Sequence, residues 1–149
     1  MTDDASEHFA AALVRLSFMV QRVYGQASRD HDLTPQQAKL LCVLLDGPVC
    51  MAELGGLLWL EKSSLTGLVD RTEQRGYVTR RRHADDRRVW LVVLTEAGEA
   101  LARRFYHHVI QQVDALADLD PTDRRQVTKV IDQIVGDHRE SGTLAESTA

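Results

Sequence analysis

From Ser63 to Gly98 the chain reads SSLTGLVDRTEQRGYVTRRRHADDRRVWLVVLTEAG, and the order of patterns in it decides the fold. Leu65, Leu68, Val69 and Thr72 recur at three- and four-residue steps, the inward stripe of a helix. The opposite face carries Ser63, Thr66, Gly67, Asp70 and Gln74, flanked by Lys62, Ser64 and Arg71. Hydroxyls and a glycine are poor helix formers, so their place on an exposed face points to a surface that another molecule approaches closely. After Gly76 the period changes. Tyr77 to Arg82 and Arg88 to Leu94 are β-rich runs joined by HADD, which reads as a hairpin. Five arginines (Arg80, Arg81, Arg82, Arg87 and Arg88) against Asp85 and Asp86 leave that hairpin a surplus of three positive charges.

Upstream, MAELGGLLWLEK is a short helix and a tight turn leading into the longer helix. A helix-turn-helix followed at once by a hairpin is the layout of a winged helix, whose second helix enters the major groove of DNA. LTPQQAKLLCVLLDGP is another helix, with Thr34 as N-cap, Pro35 at the first helical position and Gln37 completing a capping box. Gly47 and Pro48 stop it. From Glu7 to about Ser28, the residues Phe9, Ala12, Leu13, Leu16, Met19, Val20 and Val23 form one stripe of a long amphipathic helix. Thr95 caps a further helix with Leu101, Phe105, Val109, Val113 and Leu116 inward. Asp120 and Pro121 open a last one bearing Val127, Val130, Ile131, Ile134 and Val135, and the polar tail ESGTLAESTA is expected to fray. The fold class expected is mainly α with a small β-hairpin wing.

With 149 residues and no disulfide framework, one domain spanning 1–149 is the simplest organisation. The net charge of −4 argues against indiscriminate nucleic-acid binding by the whole surface. A local basic patch still acts on phosphates within a Debye length of about 10 Å. Cys42, inside LLCVLL, reads as a small core hydrophobe. With no signal-peptide pattern and no apolar run long enough to span a bilayer, the cytoplasm is the expected compartment and no membrane is involved. No Gly-rich phosphate loop, nucleophile elbow or Cys-x-x-Cys is present, so neither catalysis nor a cofactor is expected.

The marks TGLVDR, RGYV and DDRR…LTEAG, in that order, closely resemble the MarR (multiple antibiotic resistance regulator) family of winged-helix transcription factors. The resemblance runs from Glu7 to about Asp137. It implies a winged helix-turn-helix over about 34–95, with dimerisation helices over about 6–28, 95–118 and 121–137. It further implies a homodimeric repressor that binds a pseudo-palindromic operator in double-stranded DNA. The residues assigned to DNA are Lys62, Ser63, Ser64, Thr66, Gly67 and Arg71 on the recognition helix, and Arg80, Asp86, Arg87 and Arg88 on the wing. Asp86, two residues before Arg88, braces that arginine. Family members often place a small aromatic or anionic effector between the dimerisation helices and the winged domain; Phe18, Arg22, His31, Trp59 and Phe105 are the candidates for that crevice. Three positions depart from the family pattern: Thr72 stands where leucine is usual, Trp59 where a small residue is common, and Glu61 where a better N-cap is usual.

Zinc sensing draws on His8, His31, His107 and His108, but adjacent His107 and His108 point about 100° apart on a helix and do not share a metal easily. No metal site is therefore expected. Thiol sensing needs an exposed cysteine beside cationic partners, which the setting of Cys42 does not offer; Cys50 has no such clear setting. A winged helix used only for protein contacts would not need an arginine-rich wing beside a hydroxyl-rich helix face.

Overall fold

The computed structural model describes residues 4–145, with side chains described up to residue 136. Its elements in order are α1 (Asp4–Asp30), α2 (Pro35–Val43), a 3-10 turn (Leu44–Asp46), β1 (Val49–Cys50), α3 (Met51–Leu58), α4 (Lys62–Gln74), β2 (Val78–Arg82), β3 (Trp90–Leu94), α5 (Glu96–Leu116) and α6 (Pro121–Ala145). The chain divides into two compact units, Met1–Val113 and Asp114–Ala149.

In the first unit, α2 starts as its sequence dictates. The Thr34 hydroxyl accepts from the Gln37 backbone N–H and the Gln37 side chain accepts from the Thr34 N–H, both at 3.1 Å. Two orphan donors are thereby satisfied, a device worth roughly 1 kcal/mol. The helix ends earlier than the apolar run suggests, because Leu44–Asp46 tighten into a 3-10 turn before Gly47 turns the chain at φ 131°. The hairpin forms with Arg82 opposite Trp90 and Val78 opposite Leu94. It is not alone: β1 pairs antiparallel with β3, Val49 opposite Val92, giving a three-stranded sheet in the order β1-β3-β2. A two-residue strand is too short to show alternation, so only the hairpin was expected.

The core of this unit is one cluster. Leu40, Leu41, Leu54, Val69, Val78, Val92 and Phe105 are almost wholly enclosed, and Leu65 and Leu68 carry the stripe of α4 into it. Each such side chain contributes about 1.5–3 kcal/mol of burial. Thr72 is enclosed too, its hydroxyl donating to the Leu68 carbonyl at 2.7 Å, so the departure from leucine leaves no unpaired polar atom there. Arg75 ties the exit of α4 to the loop after α1: its guanidinium donates to the Asp32 carbonyl and carboxylate and to Gln37.

The stripe of α1 behaves differently. Phe9, Leu13, Leu16 and Met19 are between 39% and 54% exposed, so the unit's own core does not cover them. In the second unit, Asp120 caps α6 by accepting from the Thr122 and Asp123 N–H groups. Val127, Val130, Ile131, Ile134 and Val135 of that helix are all at least 40% exposed. The helix continues to Ala145, past the expected end near Asp137, since no proline interrupts it. The remainder of the tail expected to fray, 146–149, lies outside the described residues.

Candidate nucleic-acid interface

Helix α4, the expected recognition helix, begins at Lys62 after Glu61, whose side chain makes no capping bond. Lys62, Ser63, Ser64, Thr66 and Arg71 are exposed and Gly67 is half-exposed. The Thr66 hydroxyl donates to the Lys62 carbonyl at 2.9 Å. Its proton is thus committed inside the helix, and what it offers outward is acceptor lone pairs. Gly67 lets the Arg71 guanidinium lie across the helix: a Cβ at Gly67 would stand 3.1 Å from Arg71 Nη1.

Wing and helix are fastened together by Arg80. Its guanidinium pairs with both Asp70 and Glu73 of α4, and its backbone N–H donates to Glu73 at 3.0 Å. Burial disfavours the charge, but the two carboxylates outweigh it and hold the guanidinium above its ordinary value. Arg80 therefore sets the angle between strand and helix, while its charge is answered within the protein. Arg82 is also engaged: it stacks on Trp90, 3.9 Å from the ring centroid, and donates to the Arg87 carbonyl. Arg81 and Arg87 have no side-chain partner among the described residues, and both are exposed.

At the tip, Asp86 accepts from the Arg88 backbone N–H at 3.0 Å, from Nε at 3.2 Å and from Nη2 at 3.4 Å. These bonds, the side-chain ones first, hold the Asp86 carboxyl below its ordinary value. The Arg88 side chain stays 91% exposed. Its fork is steadied yet open to solvent, the state suited to meeting a phosphate or a narrow minor groove.

The five residues expected to line an effector crevice are not gathered in the single chain. His31 and Phe105 meet edge to face with centroids 5.7 Å apart, and Phe105 is fully enclosed in the core. Phe18 is 63% exposed and Arg22 is exposed on α1. Trp59 sits at the turn between α3 and α4. No ring contact or hydrogen bond joins these three to His31 or Phe105 among the described residues. Sequence reading missed two neighbours. Tyr24 packs edge-on against Phe105, and His31 Nε2 lies 3.2 Å from His108 Nδ1. Burial, then the proximity of His108 and Arg104, lowers the His31 pKa. The separation of 77 positions between the two histidines hides that pairing from any local pattern. Among the described residues no group of three His, Cys, Asp or Glu side chains is placed to hold a metal. Burial raises the Cys42 pKa, which keeps that thiol protonated and a poor nucleophile.

A MarR family model matches residues 31–89, which run from the loop after α1 to the wing tip. The chain is 29% identical over 118 residues to the HTH-type transcriptional regulator SarZ of Staphylococcus saprophyticus, covering 74% of this chain and 81% of that protein. It is 36% identical over 80 residues to the HTH-type transcriptional repressor NicR of Pseudomonas putida, covering 53% of this chain and 51% of that one. Several other curated relatives are likewise matched over about half of their length. Among solved structures, NadR in complex with 4-hydroxyphenylacetate superposes with a TM-score of 0.71 at 21% identity, covering 83% of this chain and 89% of that one. That likeness extends to the mainly helical winged-helix fold. The relatives are transcriptional regulators, and among the described residues no helix is long and apolar enough to cross a membrane.

Proposed function

We propose that the chain is a transcriptional regulator of the MarR family, a homodimeric repressor whose operator is a pseudo-palindromic DNA duplex. The observation that carries this reading is the fastening of an arginine-rich wing to a hydroxyl-faced recognition helix through Arg80, Asp70 and Glu73. That bond fixes two different DNA-facing surfaces in one orientation. Lys62, Ser63, Ser64, Thr66, Gly67 and Arg71 meet the major groove, where short side chains let the helix backbone approach base edges. Arg87 and Arg88, the latter braced by Asp86, supply charge to the phosphates. The protein acts by binding, in the cytoplasm, and not by catalysis.

Dimerisation is supported by the exposed apolar stripes of α1 and α6. Each leaves several large side chains in water, and a second copy of the chain would remove them from it. Repression is supported by the likeness to NicR, and control by a small anionic aromatic molecule by the NadR complex. His31, with His108 and Arg104 near it, is the part of the expected crevice that offers donors and positive charge to a carboxylate.

Fluorescence anisotropy of a labelled duplex, repeated over a series of salt concentrations, tests the DNA reading. Affinity falls steeply with salt if phosphates are being neutralised. Arg88→Ala is expected to weaken binding to every duplex and to reduce the salt slope by about one phosphate equivalent per wing. It leaves the preferred sequence in place. An Arg88→Ala protein with unchanged affinity and slope would show that the wing does not touch DNA.

A further inference from the structure

Trp59 combines two unfavourable features. It is 92% exposed, the most exposed of the large apolar side chains described, and its backbone is left-handed at φ 56°, ψ 44°. A bulky ring in water and a left-handed non-glycine backbone are each costly, and glycine would avoid both. The turn holds the residue there firmly. Leu58 before it is buried, Leu60 after it packs against the core, and the Leu60 N–H donates to the Gly55 carbonyl at 3.0 Å. The ring is therefore displayed from a fixed base, two residues ahead of the Glu61 cap of α4.

We propose that Trp59 is a DNA-contacting residue, its ring lying against the sugar–phosphate wall of the groove that α4 enters and its indole Nε1–H donating to a phosphate oxygen. This rests on the reading of α4 as the recognition helix. In helix-turn-helix docking the N-terminal end of that helix reaches the base edges, so the residues just before it stand beside the backbone. The surroundings suit a phosphate. The exposed Lys62 supplies positive charge, and Ser63 and Thr66 beside it on the first turns of α4 are exposed as well. An indole has a donor and no acceptor, which matches an acceptor-only phosphate. An effector crevice fits less well, since Trp59 has no contact with His31 or Phe105. An apolar protein partner also fits less well, because Glu61 and Lys62 adjoin the ring in sequence and stay exposed.

The test uses the full chain, a labelled mixed-sequence duplex of about 30 base pairs at low salt, and three forms of the protein. Trp59→Gly relieves the left-handed backbone, so its Tm is expected to equal or exceed the parent's while its DNA affinity falls about tenfold. Trp59→Phe keeps the ring and loses the donor, and falls between the two. In the unsubstituted protein labelled with 5-fluorotryptophan, the fluorine resonance that Trp59→Phe removes is expected to shift on adding the duplex. It stays in place on adding 4-hydroxyphenylacetate. Parent protein that binds the duplex while Trp59→Gly binds equally well, or a resonance that moves only with the aromatic acid, overturns the assignment. Parent protein that binds no duplex at all overturns the DNA reading beneath it.

Discussion

Replacing Gly98 with alanine is expected to destabilise the fold by about 3 kcal/mol. Gly98 is buried in the first turn of α5, and a Cβ there would stand 1.8 Å from the Tyr77 carbonyl oxygen. The neighbour is backbone, and it is held in place from several sides. The Tyr77 carbonyl accepts from the Thr95 N–H at 3.1 Å, while the Thr95 hydroxyl donates to the Gly76 carbonyl and accepts from the Gly98 N–H. Relief requires lifting α5 from the junction of α4 and β2, and with it part of the seating of Leu101 and Phe105. A chain of this size should lose roughly 6–12 °C in Tm. Gly136 of α6 is the control: a Cβ there meets nothing within 4 Å, so Gly136→Ala should gain about 0.5–1 kcal/mol through helix propensity. Differential scanning calorimetry of both variants checks the pair. Gly98→Ala melting with the parent would contradict the packing of α5 on this junction.

Ser63→Glu is expected to abolish specific DNA binding, with a loss of at least ~100-fold, and to leave the fold intact. Ser63 is exposed in the first turn of α4, which carries no acidic residue and lacks a side-chain cap. A carboxylate there complements the helix dipole and is neutral to slightly stabilising for the isolated protein, by about 0.3–1 kcal/mol. In the proposed complex the same charge meets phosphates and acceptor-rich base edges, once in each copy of the proposed dimer. Opposite signs on stability and binding are the signature. Unchanged affinity would mean that the N-terminal turn of α4 stays outside the groove.

Much of this was legible in the sequence because it is local. The capping box of α2 needs only Thr34, Pro35 and Gln37, and it forms as written. The inward stripe of α4 is a matter of spacing, and its four residues are the buried ones. Asp86 and Arg88 are two residues apart, so their bond follows from the turn. The stack of Arg82 on Trp90 depends on the register that the hairpin adopts, with β3 starting at Trp90 rather than at Arg88, and the sequence pattern does not fix that register. What escaped depends on tertiary placement. Five arginines look alike in sequence, yet Arg80 faces two carboxylates of α4 and Arg88 faces solvent. Phe105 suited a crevice as an aromatic on a dimerisation helix, but within the chain it is the centre of the core. The two residues of β1 carried no periodic signal at all.

Selection of bound duplexes from a random pool, followed by the mass of the complex on an enriched sequence, tests the central claim most directly. The predicted result is a two-fold-related pair of half-sites whose centres lie about one helical turn, roughly 34–36 Å, apart, with two chains on each duplex. A pool that never enriches, or a single asymmetric site occupied by one chain of 16.7 kDa, would contradict it.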